Sequence, residues 1–160
     1  MSLTIRAITE SDNAALAKLI RATLEEFNVP KIGTVYSDPT TDNLFALFQE
    51  KGSAYFLAEQ DGELLGGCGV YPTEGLPEGC AELVKLYLTP ASRGKGIAKE
   101  LLEITYQTSR DLGYTHLYLE SFPQLEKAVS LYIKSGFRHL DKAMGNSGHH
   151  ACTIWMLKDL

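Results

Sequence analysis

The stretch ELVKLYLTPASRGKGIAKELL, Glu82 to Leu102, sets a basic, glycine-rich turn between an apolar strand and an amphipathic helix. The first turn of such a helix presents unpaired N–H groups and the positive end of the helix dipole, which together make a socket for an anion. Gly94 and Gly96 remove side chains where a phosphate would approach the backbone, while Arg93, Lys95 and Lys99 add positive charge at the rim. The chemistry open to this segment is to hold a phosphate-bearing molecule, with the backbone from Arg93 through Gly94, Lys95, Gly96, Ile97 and Ala98 to Lys99 as its cradle. The plainer alternative is a solvated basic helix start whose glycines only make a turn. It is the weaker one, because helix-end anion sites usually form immediately after a strand, where these residues stand.

Two better-known phosphate motifs fit less well. A P-loop needs two glycines four residues apart followed by Lys and then Ser or Thr, and no Ser or Thr follows a Gly-Lys pair in that way here. A dinucleotide fingerprint would need glycine where Lys99 stands and an earlier parallel strand-helix-strand start.

The elements that must position this segment can be read from spacing. Leu3 to Ile8 alternates as a first strand, and Leu16, Leu19, Ile20, Leu24 and Phe27 give a helix from about Asp12 to Phe27 one apolar stripe. Asn28 to Thr41 reads as a loop, and Asp42 to Glu50 as a short helix. Ala54 to Glu59 and Glu63 to Tyr71 flank Asp61-Gly62, a pair suited to a tight hairpin, and Gly66, Gly67 and Gly69 in the second strand predict a bulge or a close backbone approach. A polar connection leads to a fourth strand, Ala81 to Leu88, and then to a helix from Gly96 to Leu112 that Gly113 stops. His116 to Glu120 follows as a fifth strand, Gln124 to Ser135 as a helix, and Phe137 to Leu140 and Ala151 to Leu157 as the last strands. The expected class is α/β (α+β), a single domain over 1–160 with one mixed, mostly antiparallel sheet of about six to seven strands flanked by helices.

The whole-chain numbers agree with that class. At 160 residues and 44% hydrophobic content the chain is one ordinary globular domain, able to bury roughly 70% of its unfolded surface. Twenty acidic residues against fifteen Lys and Arg leave a net charge of −5, so no broad positive field draws nucleic acid or anionic lipid, and an anion site has to be local. No basic leader and no apolar run of membrane-spanning length is read from the sequence, which points to the cytoplasm. Cys68, Cys80 and Cys152 are odd in number and lack CxxC spacing, so they are expected to be reduced packing residues, with no metal site.

Two groups of residues resemble the GNAT superfamily of N-acetyltransferases. Arg93, Gly96 and Ala98 match its cofactor motif of Arg or Gln, two residues, Gly, one residue, then Gly or Ala, and Ala128, Leu131, Tyr132, Gly136 and Phe137 match a second family feature. The resemblance implies that the fourth and fifth strands splay and admit the pantetheine arm of acetyl-CoA. Backbone groups of Leu86, Tyr87 and Leu88 would bond the arm, and the amides from Gly94 to Lys99 the diphosphate. It also implies direct acetyl transfer to an amine, with no metal. Many members keep Asn three residues before the alanine matched by Ala128; Leu125 stands there, and Ser121 or Gln124 is available in its place.

Direct transfer needs a free amine lone pair, a stabilised oxyanion and a protonated leaving thiolate. In the family's tyrosine position, Tyr132 is implied as the proton donor to sulfur, against a structural role as a packed amphipathic ring. Glu82, where relatives often place a carboxylate, is the candidate base, directly or through a water, and burial beside Leu83 and Val84 would raise its pKa; otherwise it is a strand-end glutamate facing solvent or Lys85. Glu120 is a candidate to contact a cationic acceptor or to share the base function, the resemblance puts Tyr36 and Glu26 in a region that shapes the acceptor pocket, and His149 and His150 are candidates for a base or an acceptor contact. The partner is then a small-molecule or peptide amine, and the chain a monomer or homodimer. The rival reading is a non-catalytic acyl-CoA sensor on the same fold.

Overall fold

The computed structural model describes residues 3–160. Seven strands form one sheet: β1 (Thr4–Ala7), β2 (Ala54–Gln60), β3 (Glu63–Tyr71), β4 (Cys80–Leu88), β5 (His116–Ser121), β6 (Arg138–Leu140) and β7 (Ile154–Asp159), in the order β1-β2-β3-β4-β5-β7-β6. Every neighbouring pair is antiparallel except β4 and β5, which are parallel. A parallel pair needs a crossover, and α3 (Ile97–Asp111) supplies it.

Alternation in the strands sends side chains to two cores. On one face α3 and α4 (Glu126–Lys134) bury Leu101, Leu102 and Tyr132 against Cys68, Val70, Leu117 and Met156 of the sheet. On the other, α1 (Asn13–Glu26) buries Leu16, Ile20 and Leu24, and α2 (Leu44–Leu47) buries Leu44, against Tyr55 and Leu57 of β2. The splayed, mixed sheet and flanking helices are those the sequence led us to expect. None of the helices among the described residues is long and apolar enough to cross a membrane. Cys68, Cys80 and Cys152 are free and buried.

Turn chemistry follows the residues. Asp61 and Gly62 both have positive φ, 53° and 77°, as a tight hairpin with the right twist requires. The glycines of β3 clear room for a neighbour: a Cβ on Gly67 would lie 2.6 Å from the Tyr55 hydroxyl, and one on Gly69 would lie 2.5 Å from the Ala54 carbonyl. Two elements differ from expectation. The predicted helix over Asp42 to Glu50 is a 3-10 turn at Pro39–Asn43 followed by the single α turn of α2, because Asp38 and Asn43 both cap backbone amides here, at Thr40 and Ala46. The last strand begins three residues later than expected and runs on to Asp159, since Ala151 and Cys152 spend their amides on the carbonyls of Gly33 and His149.

Arg6 on β1 ties the sheet edge to the start of α1. Its guanidinium donates to both oxygens of Asp12, each at 2.8 Å, and to Glu59 of β2 at 3.0 and 3.1 Å. These bonds, with those from Thr9, outweigh burial and hold the Asp12 carboxyl down at about 2. A carboxyl held below its unfolded value stabilises the fold above about pH 4 and loses that contribution as pH falls towards 2. Asp12→Ala is therefore expected to lower the unfolding free energy by about 2 kcal/mol at pH 7. The gap should close in urea titrations repeated down to pH 2, whereas a constant gap would place the effect in packing.

Candidate active site

A bulge in β4 shapes the site. In the β3–β4 ladder Gly69 faces Val84 and Gly67 faces Tyr87, so the two residues Lys85 and Leu86 of β4 oppose Cys68 alone. Lys85 has φ 56°, a left-handed conformation that costs a residue with a Cβ about 1–2 kcal/mol. A bond from the Tyr55 hydroxyl to the Lys85 carbonyl, at 2.7 Å, holds the kink in place across the room that Gly67 and Gly69 leave.

Parallel pairing between β4 and β5 covers Cys80 with His116, Ala81 with Leu117 and Glu82 with Tyr118, and then ends. Beyond this fork β4 stays with β3, while Leu119, Glu120 and Ser121 of β5 pair with β7. A narrow cleft of about 70 Å³ opens between the strands, with Glu82, Lys85, Glu120, Ser121, Tyr132 and His149 among its walls.

Glu82 is the last paired residue before the fork and is 5% exposed. Burial pushes its carboxyl up to about 7, the neighbouring Glu120 adding to the effect and a hydrogen bond from Thr73 at 2.5 Å opposing it. Tyr132, on α4, packs its ring edge-on to Phe137 at 5.7 Å and is 8% exposed. Among the described residues its hydroxyl has no hydrogen-bond partner, and burial raises its pKa, so it keeps its proton throughout the neutral range.

The basic turn leads into the N-terminus of α3. Gly94 and Gly96 have φ of 76° and 80°, where glycine alone is unstrained, and a Cβ on either would meet nothing within 4 Å. Gly96 offers no side-chain cap, and the first amide bonded back into the helix is that of Glu100, to Gly96. The earlier amides of Ile97, Ala98 and Lys99 are thus left open on an uncluttered surface. Lys95 and Lys99 stand beside them, but the Arg93 guanidinium is engaged elsewhere. It donates to Glu26 at 2.7 and 2.9 Å and to the Leu88 carbonyl at 3.1 Å, and lies 5.1 Å from the Phe27 ring.

The remaining sequence candidates divide. Glu120 lines the cleft and accepts from Tyr118 at 2.6 Å and from Ser147. Ser121 and Leu125 line it as well, whereas Gln124 is exposed and does not. Tyr36 is not among the lining residues: its hydroxyl donates to Glu25 and Lys31 sits over its ring at 4.8 Å. His149 reaches the cleft and pairs with Asp38 at 3.1 Å, while His150 packs on Gly33. Sequence reasoning missed Asp38, in a loop with no periodicity, and Thr73, in a polar connection. It named Lys85 only as an alternative partner for Glu82 and gave it no place in the site, since strand alternation puts residues three apart on opposite faces and nothing local announces the bulge that brings them together. Among the described residues no group of three His, Cys, Asp or Glu is arranged to hold a metal.

The model of the acetyltransferase (GNAT) family matches residues 16–137. The chain belongs to that family. It is similar to the uncharacterized N-acetyltransferase YjgM of Escherichia coli (strain K12), 38% identical over 157 residues that cover 98% of this chain and 94% of the relative. In fold it is similar to a GNAT-family acetyltransferase from Staphylococcus aureus Mu50, with a TM-score of 0.88 and 21% identity over 99% of each chain. It is also similar to the PaiA N-acetyltransferase of Thermoplasma acidophilum, solved in complex with coenzyme A, with a TM-score of 0.75 and 23% identity over 100% of both chains. As a member of this family the chain is an N-acetyltransferase.

The burial of Glu82 has a cost that pH reveals. Its folded pKa of about 7 lies above the ordinary 4.5, so the folded state keeps a proton that the unfolded chain has released. Stability contributed in this way is complete below about pH 4.5 and falls as pH rises to 7, by about 3 kcal/mol in all. Glu82→Gln, which keeps an oxygen for Thr73, is expected to gain several °C in melting temperature over the native protein between pH 5 and pH 8.5. An equal difference at both pH values in calorimetric scans would show that the carboxyl is not perturbed.

Proposed function

We propose that this N-acetyltransferase passes acetyl directly from acetyl-CoA to a primary amine of a small molecule or peptide, with Glu82 as base and Tyr132 as acid. One observation carries the reading: the fork between β4 and β5 brings a buried carboxylate with a raised pKa and an unpartnered tyrosine hydroxyl into one narrow cleft. The whole chain acts as a single catalytic domain.

The residues present fit the diphosphate and the arm of acetyl-CoA. Amides from Gly94 to Lys99, with Lys95 and Lys99 beside them, take the diphosphate in the open space at the start of α3. Arg93 contributes its backbone, its guanidinium being held by Glu26. Backbone groups of Leu86, Tyr87 and Leu88, and the Ser121 hydroxyl, guide the arm between the strands, which delivers the thioester to the fork. The coenzyme A complex of PaiA supports this path on the shared fold.

In the cleft Glu82, directly or through a water, takes the proton that the incoming amine sheds, and a carboxylate with a pKa of about 7 is half ionised at neutral pH, as a base for this task should be. The nitrogen forms its bond to the thioester carbon as the C–S bond breaks, and the Tyr132 hydroxyl supplies a proton to the departing sulfur. After product release Tyr132 regains a proton from solvent while Glu82 gives one up. Burial keeps that proton on Tyr132 until the sulfur needs it. Glu120 adds negative charge on the acceptor side, suited to a cationic amine.

With acetyl-CoA and an accepted amine, thiol release should climb tenfold per pH unit below about pH 7 and level off above it; Glu82→Gln should lose that limb and fall about 100-fold or more at pH 8. Tyr132→Phe should lower kcat about 100-fold with coenzyme A affinity changed less than about threefold. An unaltered kcat would remove Tyr132 from the chemistry. Gly96→Asp, which sets a side chain and a negative charge in the open socket at positive φ, should abolish coenzyme A binding in calorimetry; retained affinity would move the diphosphate elsewhere.

A further inference from the structure

The bulge has a second effect. Residues three apart on a regular strand face opposite ways, yet Lys85 lines the cleft within electrostatic reach of both Glu82 and Asp38, because the extra residue in β4 turns it to their side. Lys85 is half-buried, and among the residues lining the cleft it is the one Lys or Arg.

Its ammonium has no local partner. Among the described residues it makes no hydrogen bond and no ion pair; the one bond at Lys85 is that of its backbone carbonyl to Tyr55. Two carboxylates are near enough to favour its charge, Asp38 and Glu82, but neither makes an ion pair with it, and both accept hydrogen bonds from other donors. Asp38 accepts from the Thr40 amide at 2.9 Å, the Thr40 hydroxyl at 2.7 Å and His149 at 3.1 Å, and Glu82 accepts from Thr73. Burial lowers the Lys85 pKa in consequence. A half-buried cation without a counter-ion in contact is costly, and the cost is relieved when a ligand brings an anion.

The anion is not supplied by coenzyme A in this cleft. The pantetheine arm is neutral, and the diphosphate belongs to the socket beyond the far end of β4. The acceptor must bring it. Glu82 on the same strand and Glu120 across the fork on β5 suit the cationic amine, so the cleft offers charges of both signs to one small molecule.

We propose that Lys85 binds the carboxylate of the acceptor and that the acceptor class is the free amino acid, an amine and a carboxylate carried by the same small molecule. This rests on the amine-acetylating reading above and narrows it. It sets aside amines without an acid group and the N-termini of peptides, whose neighbouring carbonyl is an amide.

The test pairs each of the twenty common α-amino acids with its own carboxamide, which keeps the side chain and removes the negative charge, and compares rates per un-ionised amine because the carboxamide's amine is the less basic of the two. For the best acceptor, kcat/KM for the acid should exceed that for the amide tenfold or more. In Lys85→Met this ratio should fall towards one, chiefly through KM, and Lys85→Arg should restore most of it. Calorimetry with the N-acetyl amino acid and its amide, in the presence of coenzyme A, reads the same preference without turnover. Amides accepted or bound as well as acids by the native protein, or a preference that survives Lys85→Met, would overturn the proposal. Carboxylate-dependent, Lys85-dependent binding without acetylation of any amine would uphold the subsite and sink the transfer reading instead.

Discussion

A single hydrogen bond, from the Tyr55 hydroxyl to the Lys85 carbonyl, holds the irregularity on which the site is built. A non-glycine residue in left-handed backbone reverts to regular strand unless something fixes it. Here the fixing group reaches from β2 across β3, and it can do so because β3 carries glycine at Gly67 and Gly69, where any Cβ would collide with the tyrosine or the strand bearing it. Glycine weakens a strand interior, but in this sheet the loss is offset by the one ring that fills the space. Three strands thus cooperate in a local kink that no single strand would keep.

From the kink follows the divergence of β4 and β5, and from the divergence a cleft whose walls are strand backbone on two sides and α4 on a third. A parallel pair that remained zipped would bury its backbone groups in each other. By ending at Glu82 and Tyr118 it leaves a narrow cleft with the Glu82 carboxyl buried at its root, which is why that carboxyl is desolvated and its pKa raised. The rigid sheet places the group, and its burial tunes it.

Much of this was legible in the residues. The order of strands and helices, the Asp61-Gly62 hairpin, the glycine-rich close approach in β3 and the turn before α3 all rest on local chemistry: positive φ, missing side chains, apolar spacing. Glu82 and Tyr132 could be singled out before their surroundings were known. What could not be read was long-range. Lys85 could be named only as an alternative partner for Glu82, because Tyr55, whose hydroxyl holds the kink that turns it inward, is thirty positions away. Asp38 and His149 meet across 111 positions of sequence, from two loops that carry no periodic signal. The Arg93 guanidinium, which its motif appoints to phosphate, is claimed by Glu26 at the end of another helix.

That last pairing divides the work between two kinds of group. With Arg93 neutralised by Glu26, the proposed grip on an anion at the head of α3 is left largely to amide dipoles, which neither titrate nor reorient. Lys95 and Lys99 only reinforce it. Such a hold stays constant over the whole range in which Glu82, at the other end of β4, changes its charge. On the reading proposed above, the molecule responds to acidity in what it does to a bound thioester without changing how firmly it keeps the thioester's carrier.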